Sequence, residues 1–171
     1  CSEEAISYAN KHYQAANLSF LQGDALMSGI SNNSADILIS FETIEHIEND
    51  KKLLREFRRI LKPGGMLIIS TPNKAYSLKS LLSLRPINPA HIREYNKKQL
   101  ESLLAANFTN IKFYGQKIIL KRSFFLLPKY FFYKITGKLA AIEKKDYKVI
   151  PYPEEKDRET CFFVAVCFKN D

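Results

Sequence analysis

Residues Asp36–Asn73, DILISFETIEHIENDKKLLREFRRILKPGGMLIISTPN, decide the fold. Asp36 to Phe41 is almost uninterruptedly apolar, which is typical of a strand covered on both faces. The next segment is an amphipathic helix whose apolar positions recur at helical spacing: Leu53, Leu54, Phe57, Ile60 and Leu61. Pro63-Gly64-Gly65 ends that helix, and Met66 to Thr71 is a second buried strand. Strand, helix and strand in this order predict a parallel crossover within an α/β sheet.

Shorter signals flank this unit. Ser2 is a capping residue for a first helix, and Asn49 or Asp50 can cap the helix described above. Leu18 to Gln22 predicts a short strand, and a polar loop follows it.

Downstream, Asn96 and Gln99 form a capping-box-like pair at the start of another helix. Two further strands are predicted, at Ile111–Ile119 and Thr160–Phe168.

Composition limits the class of protein. The 171 residues are 46% hydrophobic and 26% charged, as expected for one globular domain. Cys161 and Cys167 would lie about 20 Å apart on one strand, at roughly 3.3 Å per residue, which is too far for a disulfide. Cys1, the third cysteine, gives no metal-binding spacing with them. A reducing, cytoplasmic compartment is therefore expected.

The net charge of +8 is concentrated in one segment. Between Ile119 and Lys148 there are eight Lys or Arg residues and two acidic ones, interleaved with seven aromatic residues. We interpret this basic aromatic insert, at about 119–158, as a helical lid over a pocket. A contact with a membrane or a lipid-linked substrate is the second interpretation, and nucleic-acid binding is the least favoured.

In combination, five motifs resemble the class I S-adenosylmethionine-dependent methyltransferases: GDA at 23–25, DILISF, ETIEHI, LKPGG and STPN. The resemblance covers residues 1–118 and the final strand. It implies an α/β, Rossmann-like sheet, mostly parallel, with a C-terminal antiparallel hairpin of Ile111–Ile119 against Thr160–Phe168. The family's first strand–helix–strand unit, with its Gly-rich cofactor loop, is missing and is expected upstream of Cys1. Residues 1–171 are accordingly expected to be a single, N-terminally truncated methyltransferase domain.

The resemblance also implies a cofactor, S-adenosyl-L-methionine, and four residues that bind it. Asp24 is expected to accept a hydrogen bond from the adenine amino group, and the backbone of Ala25 to contact the ring. Phe41 and Glu42 begin the turn that, in the family, lies beside the sulfonium and the substrate.

The same turn contains the candidate catalytic residues, and three interpretations stay open for it. In a helical turn Glu42, Glu45 and His46 can converge, since they occupy positions i, i+3 and i+4. Glu45 could brace the turn while His46 packs, or His46 could act as a general base. Alternatively, Glu-x-x-Glu-His resembles a divalent-ion pattern in ubiquinone-biosynthesis O-methyltransferases. We assign no metal ligand, and His91 is a second candidate base.

The predicted function is methyl transfer to a small-molecule or lipid-linked acceptor, at oxygen because His46 supplies a base. As a truncated chain it is expected to be inactive alone. The alternative is a non-catalytic basic module whose insert binds a membrane surface or an acidic partner.

Overall fold

The computed structural model of the protein describes residues 2–76, 88–120, 149–152 and 158–170. The described elements, in chain order, are α1 (Glu3–His12), β1 (Ala35–Phe41), α2 (Asp50–Ile60), β2 (Leu61–Pro72), α3 (Lys97–Ala105), β3 (Thr109–Leu120), β4 (Val149–Pro151) and β5 (Arg158–Phe168). Short 3-10 turns occupy Ile44–His46 and Lys74–Tyr76. Most of the basic aromatic insert, residues 121–148 and 153–157, lies outside the described residues.

The strands form one five-stranded sheet in the order β1-β2-β5-β3-β4. Only β1 and β2 pair in parallel, and the pairs β2–β5, β5–β3 and β3–β4 are antiparallel. The prediction of a mostly parallel sheet is therefore wrong for the described chain. The reason is that β5 pairs directly with β2 on the side away from β1, so one crossover, β1–α2–β2, supplies the only parallel pair of strands among the described residues. The C-terminal hairpin is confirmed, because β3 pairs with β5 from Thr109 opposite Phe168 to Leu120 opposite Arg158.

Strand β1 lies at an edge of this sheet and not in its centre. The prediction that it is covered on both faces is wrong, since Ile37, Ile39 and Phe41 are 54%, 58% and 57% exposed. In the described residues β1 has one neighbouring strand, and Leu38 on its opposite face packs against the core. The strand predicted at Leu18–Gln22 is also wrong, because this segment is irregular and its leucines are exposed.

The predicted helix starts are confirmed. The Ser2 side chain accepts a hydrogen bond from the Ala5 N–H at 3.3 Å, and Asn49 accepts one from Lys52 at 3.0 Å. Asn96 and Gln99 form the reciprocal capping box, with hydrogen bonds of 2.9 and 3.0 Å. Each cap satisfies backbone donors that a helix leaves free in its first turn.

The core lies between the sheet and the two helices α2 and α3. It contains completely buried leucines from both helices and apolar side chains from β2 and β5: Leu53, Leu54, Leu100, Leu104, Leu67, Ile69 and Phe163. Ile44, in the turn after β1, belongs to the same cluster and fixes that turn to the core. Cys161 and Cys167 are buried free thiols, and burial raises the pKa of Cys167 to about 12. None of the helices in the described part of the chain has the length and hydropathy needed to cross a bilayer.

The close pairing of β3 and β5 predicts that Gly115→Ala destabilises the fold. A Cβ atom at Gly115 would lie 1.9 Å from Cγ2 of Thr160, whose side chain is completely buried. We expect a loss of about 1–3 kcal/mol in the free energy of unfolding, measured by urea denaturation. Gly23→Ala is the control, since the nearest atom to a Cβ there is 3.7 Å away. Equal stability of the two variants would contradict the packing described here.

Candidate functional site

The turn that follows β1 is held against the end of β2. Glu42 adopts a φ of +49°, and its N–H lies 3.2 Å from both the carbonyl and the hydroxyl oxygen of Ser70. The Ser70 hydroxyl in turn donates to Oε1 of Glu42 at 2.7 Å. Partial burial of this carboxyl group raises its pKa, although the hydrogen bond from Ser70 opposes that shift. Glu42 is thus bound to β2, and its neighbour Phe41 presents an exposed ring.

Glu45 is completely buried at the centre of the site. Its Oε2 accepts a hydrogen bond from the Thr71 hydroxyl at 3.1 Å, and its Oε1 has no hydrogen-bond partner among the described residues. The main-chain oxygen of Glu45 accepts from the N–H groups of Ile92 at 2.8 Å and Arg93 at 3.3 Å. Glu45 therefore joins the turn after β1 to the end of β2 and to the segment that contains His91.

His46 is exposed, and a hydrogen bond fixes the tautomer of its ring. Nδ1 lies 2.9 Å from the carbonyl oxygen of Ala90. A carbonyl oxygen can only accept a hydrogen bond, so Nδ1 bears the proton in the neutral ring and Nε2 has the lone pair. Nε2 of His46 is consequently the basic atom.

His91 is half-buried, and both of its ring nitrogens are engaged. Nδ1 lies 3.1 Å from Oε1 of Glu94, and Nε2 lies 3.0 Å from the side-chain nitrogen of Asn88. Its ring contacts that of His46 edge to face, with the centroids 4.8 Å apart and the planes at 74°. His46 and His91 are thus neighbours in the fold, although Ala90, which binds the His46 ring, lies 44 residues further along the chain.

The cluster that forms differs from the expected set of Glu42, Glu45 and His46. Ligand atoms of Glu45, His46 and His91 lie within 4.8 Å of one another, and Glu42 is outside this group. The sequence analysis named His91 as a second candidate base, but no spacing in the sequence placed it beside His46. One carboxylate and two imidazoles can move a proton, and they are also suitable ligands for a divalent ion.

The loop before β1 contains the other predicted residues, Asp24 and Ala25. Oδ1 of Asp24 accepts a hydrogen bond from the Leu26 N–H at 2.8 Å, which leaves Oδ2 for an external donor. Asp24 is exposed, and the Ala25 N–H has no hydrogen-bond partner among the described residues. An acceptor beside a free N–H donor fits the amino group and ring nitrogen of an adenine. The residues present therefore fit the adenine part of a nucleoside cofactor.

Glu56 positions this loop, and the sequence analysis did not single it out. Its Oε1 accepts from both the N–H and the hydroxyl of Ser28, at 2.8 and 2.7 Å. Arg59 donates to both carboxylate oxygens at 2.8 Å, and the hydrogen bonds from Arg59 and then Ser28 lower the pKa of Glu56 to about 2. This fixes residue 28, four positions after Asp24, to helix α2. On the helix, Glu56 looks like an ordinary surface charge in the sequence, so no local pattern reveals its role.

Comparisons with known proteins find similarity to methyltransferases. Residues 1–69 match a family model described as a methyltransferase domain. A probable S-adenosylmethionine-dependent methyltransferase of Mycobacterium tuberculosis is 31% identical over 114 residues, covering 66% of this chain and 40% of the relative. The mitochondrial ubiquinone biosynthesis O-methyltransferase of Dictyostelium discoideum is 28% identical over 120 residues, covering 60% of this chain and 37% of the relative.

The fold also agrees with solved structures. A structure from Thermotoga maritima, described as an S-adenosylmethionine-dependent methyltransferase and a possible histamine N-methyltransferase, superposes with a TM-score of 0.68. It is 21% identical and covers 99% of this chain and 70% of that one. The matched region is about 40% of the length of the first curated relatives.

The depressed pKa of Glu56 predicts a pH-dependent stability. Its carboxylate favours the folded state above pH 4.5, and this contribution is lost as the pH falls from 4.5 to about 2. Glu56→Gln should therefore be less stable than the parent protein at pH 7, and the difference should shrink towards pH 2. The measurement is the free energy of unfolding against pH, with Glu101→Gln, an exposed position on α3, as the control. A difference that did not change with pH would contradict this role.

Proposed function

Because the chain belongs to the class I S-adenosylmethionine-dependent methyltransferases, we propose that the protein containing it methylates an oxygen atom of a small-molecule or lipid-linked acceptor. The observation that carries the choice of oxygen is the exposed His46 ring, whose Nε2 is free to accept a proton. A hydroxyl acceptor must lose a proton when it is methylated, and a positioned imidazole removes it.

Four residues are proposed to hold S-adenosyl-L-methionine. When bound, this cofactor supplies a methyl group on a positively charged sulfur. Asp24 accepts from the adenine amino group through its free Oδ2, and the N–H of Ala25 donates to the ring. Phe41 and Glu42 are proposed to border the cofactor at the carboxyl end of β1, where open α/β sheets bind ligands.

His46 is the proposed base and Glu45 supports it. When Nε2 takes a proton the ring becomes an imidazolium, and the buried Oε1 of Glu45 lies in the same cluster without a partner among the described residues. A carboxylate beside an imidazolium stabilises the charged ring. His91 remains a second candidate, but both of its nitrogens already take part in hydrogen bonds, which suits positioning of the His46 ring better.

A divalent cation on Glu45, His46 and His91 is the other chemistry that the cluster supports. Coordination by His91 would break one of its two hydrogen bonds, to Glu94 or to Asn88. Proton transfer by His46 breaks neither, and on this ground we propose a base and no metal ligand.

The 171 residues are proposed to be part of one longer methyltransferase domain, with the insert at about 119–158 belonging to it. Two observations support this. The matched region is about 40% of the length of the first curated relatives. The edge strand β1 also presents Ile37, Ile39 and Phe41 to solvent, and large apolar side chains on a sheet edge are usually covered or paired.

The protein encoded by the full open reading frame tests this function. Transfer of radiolabelled methyl from S-adenosyl-L-methionine is measured against a panel of phenols, alcohols and amines. We expect methylation of hydroxyl acceptors, and His46→Ala should lower kcat by about 10²–10⁴. His12→Ala, which removes an exposed histidine on α1, is the matched control and should keep full activity. Methylation restricted to amines, or an unaffected His46→Ala, would contradict oxygen transfer through this base.

The same assay separates a base from a metal ligand. After dialysis against EDTA, activity should be unchanged, because His46 acts without a cation in this proposal. Loss of activity in EDTA, restored by a divalent cation and abolished in His91→Ala, would instead assign the cluster to metal binding.

A further inference from the structure

A cavity lies outside the candidate catalytic cluster. It is a groove of about 1000 Å³ between α2 and α3, closed on one side by residues Arg93 to Tyr95. Its charged lining is unbalanced, with five basic and two acidic side chains: Lys51, Arg55, Lys74, Arg93, Lys98, Asp50 and Glu94. A groove of this size is large enough to enclose a small ligand.

Both acidic side chains are already engaged within the protein. Oδ2 of Asp50 accepts from Nη1 of Arg93 at 2.6 Å and from the Tyr95 hydroxyl at 2.9 Å. Glu94 is nearly buried and binds His91 through Oε1, and its Oε2 is buried without a partner among the described residues. Asp50 and Glu94 therefore bind Arg93, Tyr95 and His91, and they do not pair with Lys51, Arg55 or Lys98.

Three of the basic side chains are exposed and unpaired. Lys51, Arg55 and Lys98 make neither an ion pair nor a hydrogen bond with another described side chain. Arg93, by contrast, has a carboxylate partner within the groove, and so do Arg59 and Lys62 outside it. Lys51, Arg55 and Lys98 thus form an unpaired basic group where two helices border a cavity.

The positions of two of these cations, Lys51 and Lys98, oppose the electrostatics of the helices. Lys51 and Lys98 are the second residues of α2 and α3, where the positive end of the helix dipole disfavours a cation. The first turn of α3 contains no acidic residue to compensate. The positive charges in the groove repel one another when the groove is empty, and a bound anion would offset this repulsion.

We propose that this groove binds a small organic polyanion with two or more phosphate groups. Lys51, Arg55 and Lys98 would contact the phosphates, while Arg93, fixed by Asp50, lines the floor. The one aromatic side chain of the lining, Tyr95, is 5% exposed, so it offers no surface on which a nucleic-acid base could stack. This inference concerns residues other than the proposed cofactor and base residues, and it does not depend on methyl transfer.

Titration calorimetry of the full-length protein with inorganic tripolyphosphate tests the proposal. We compare the double variant Lys51→Gln/Lys98→Gln with Lys52→Gln/Lys112→Gln, which removes the same charge from exposed positions outside the groove. The groove variant should bind tripolyphosphate at least about tenfold more weakly, since charge-assisted hydrogen bonds are lost. The control variant should stay within about twofold of the parent protein.

Three outcomes would overturn the proposal. The first is no binding of tripolyphosphate by the parent protein at low salt. The second is an equal loss of affinity in both variants, which would indicate attraction by net charge alone. The third is tighter binding of a single-stranded RNA oligonucleotide or of phosphatidylglycerol vesicles that depends on Lys51 and Lys98, which would assign the groove to a macromolecular or membrane surface.

Discussion

The site depends on one buried residue, Glu45. Its carboxylate accepts a hydrogen bond from Thr71 at the end of β2, and its main-chain oxygen holds Ile92 and Arg93. The polar atoms of a side chain with no exposed surface cannot bind water at the surface, so their partners have to come from the protein or from a bound group. Because these partners belong to segments distant in sequence, the turn after β1, the end of β2 and residues 91–93 keep one relative position. The contact between the His46 and His91 rings follows from that arrangement.

A second glutamate anchors the proposed cofactor loop. Glu56 fixes Ser28, and with it the loop of Asp24, to α2 through its carboxylate, whereas Glu45 fixes residues 92 and 93 through its main-chain oxygen. The proposed cofactor loop and the proposed base are therefore positioned by separate anchors, so that each can be disturbed without the other.

Local signals in the sequence predicted local structure well. Features that depend on contacts between distant residues could not be predicted from it. The caps at Ser2, Asn49 and Asn96 were predictable because the donor and the acceptor lie within three residues of each other. The apolar run of β1 correctly indicated a strand. It did not indicate the neighbouring strands, because the same apolar pattern occurs in central strands and in this edge strand. The histidine cluster was only half predicted: spacing in one turn suggested Glu42, whereas Ser70 holds Glu42 and tertiary packing supplies His91 instead. Glu56 and the basic groove are products of the fold alone.

The two histidines have the same side chain, and their surroundings give them different chemistry. The carbonyl of Ala90 fixes the proton of His46 on Nδ1 and leaves Nε2 exposed, whereas Glu94 and Asn88 occupy both nitrogens of His91. Glu94 contacts His91 through Oε1 and also lines the basic groove, so this one side chain joins the imidazole cluster to the groove. The cluster and the groove therefore share a wall, and a change of side chain at Glu94 would reach both.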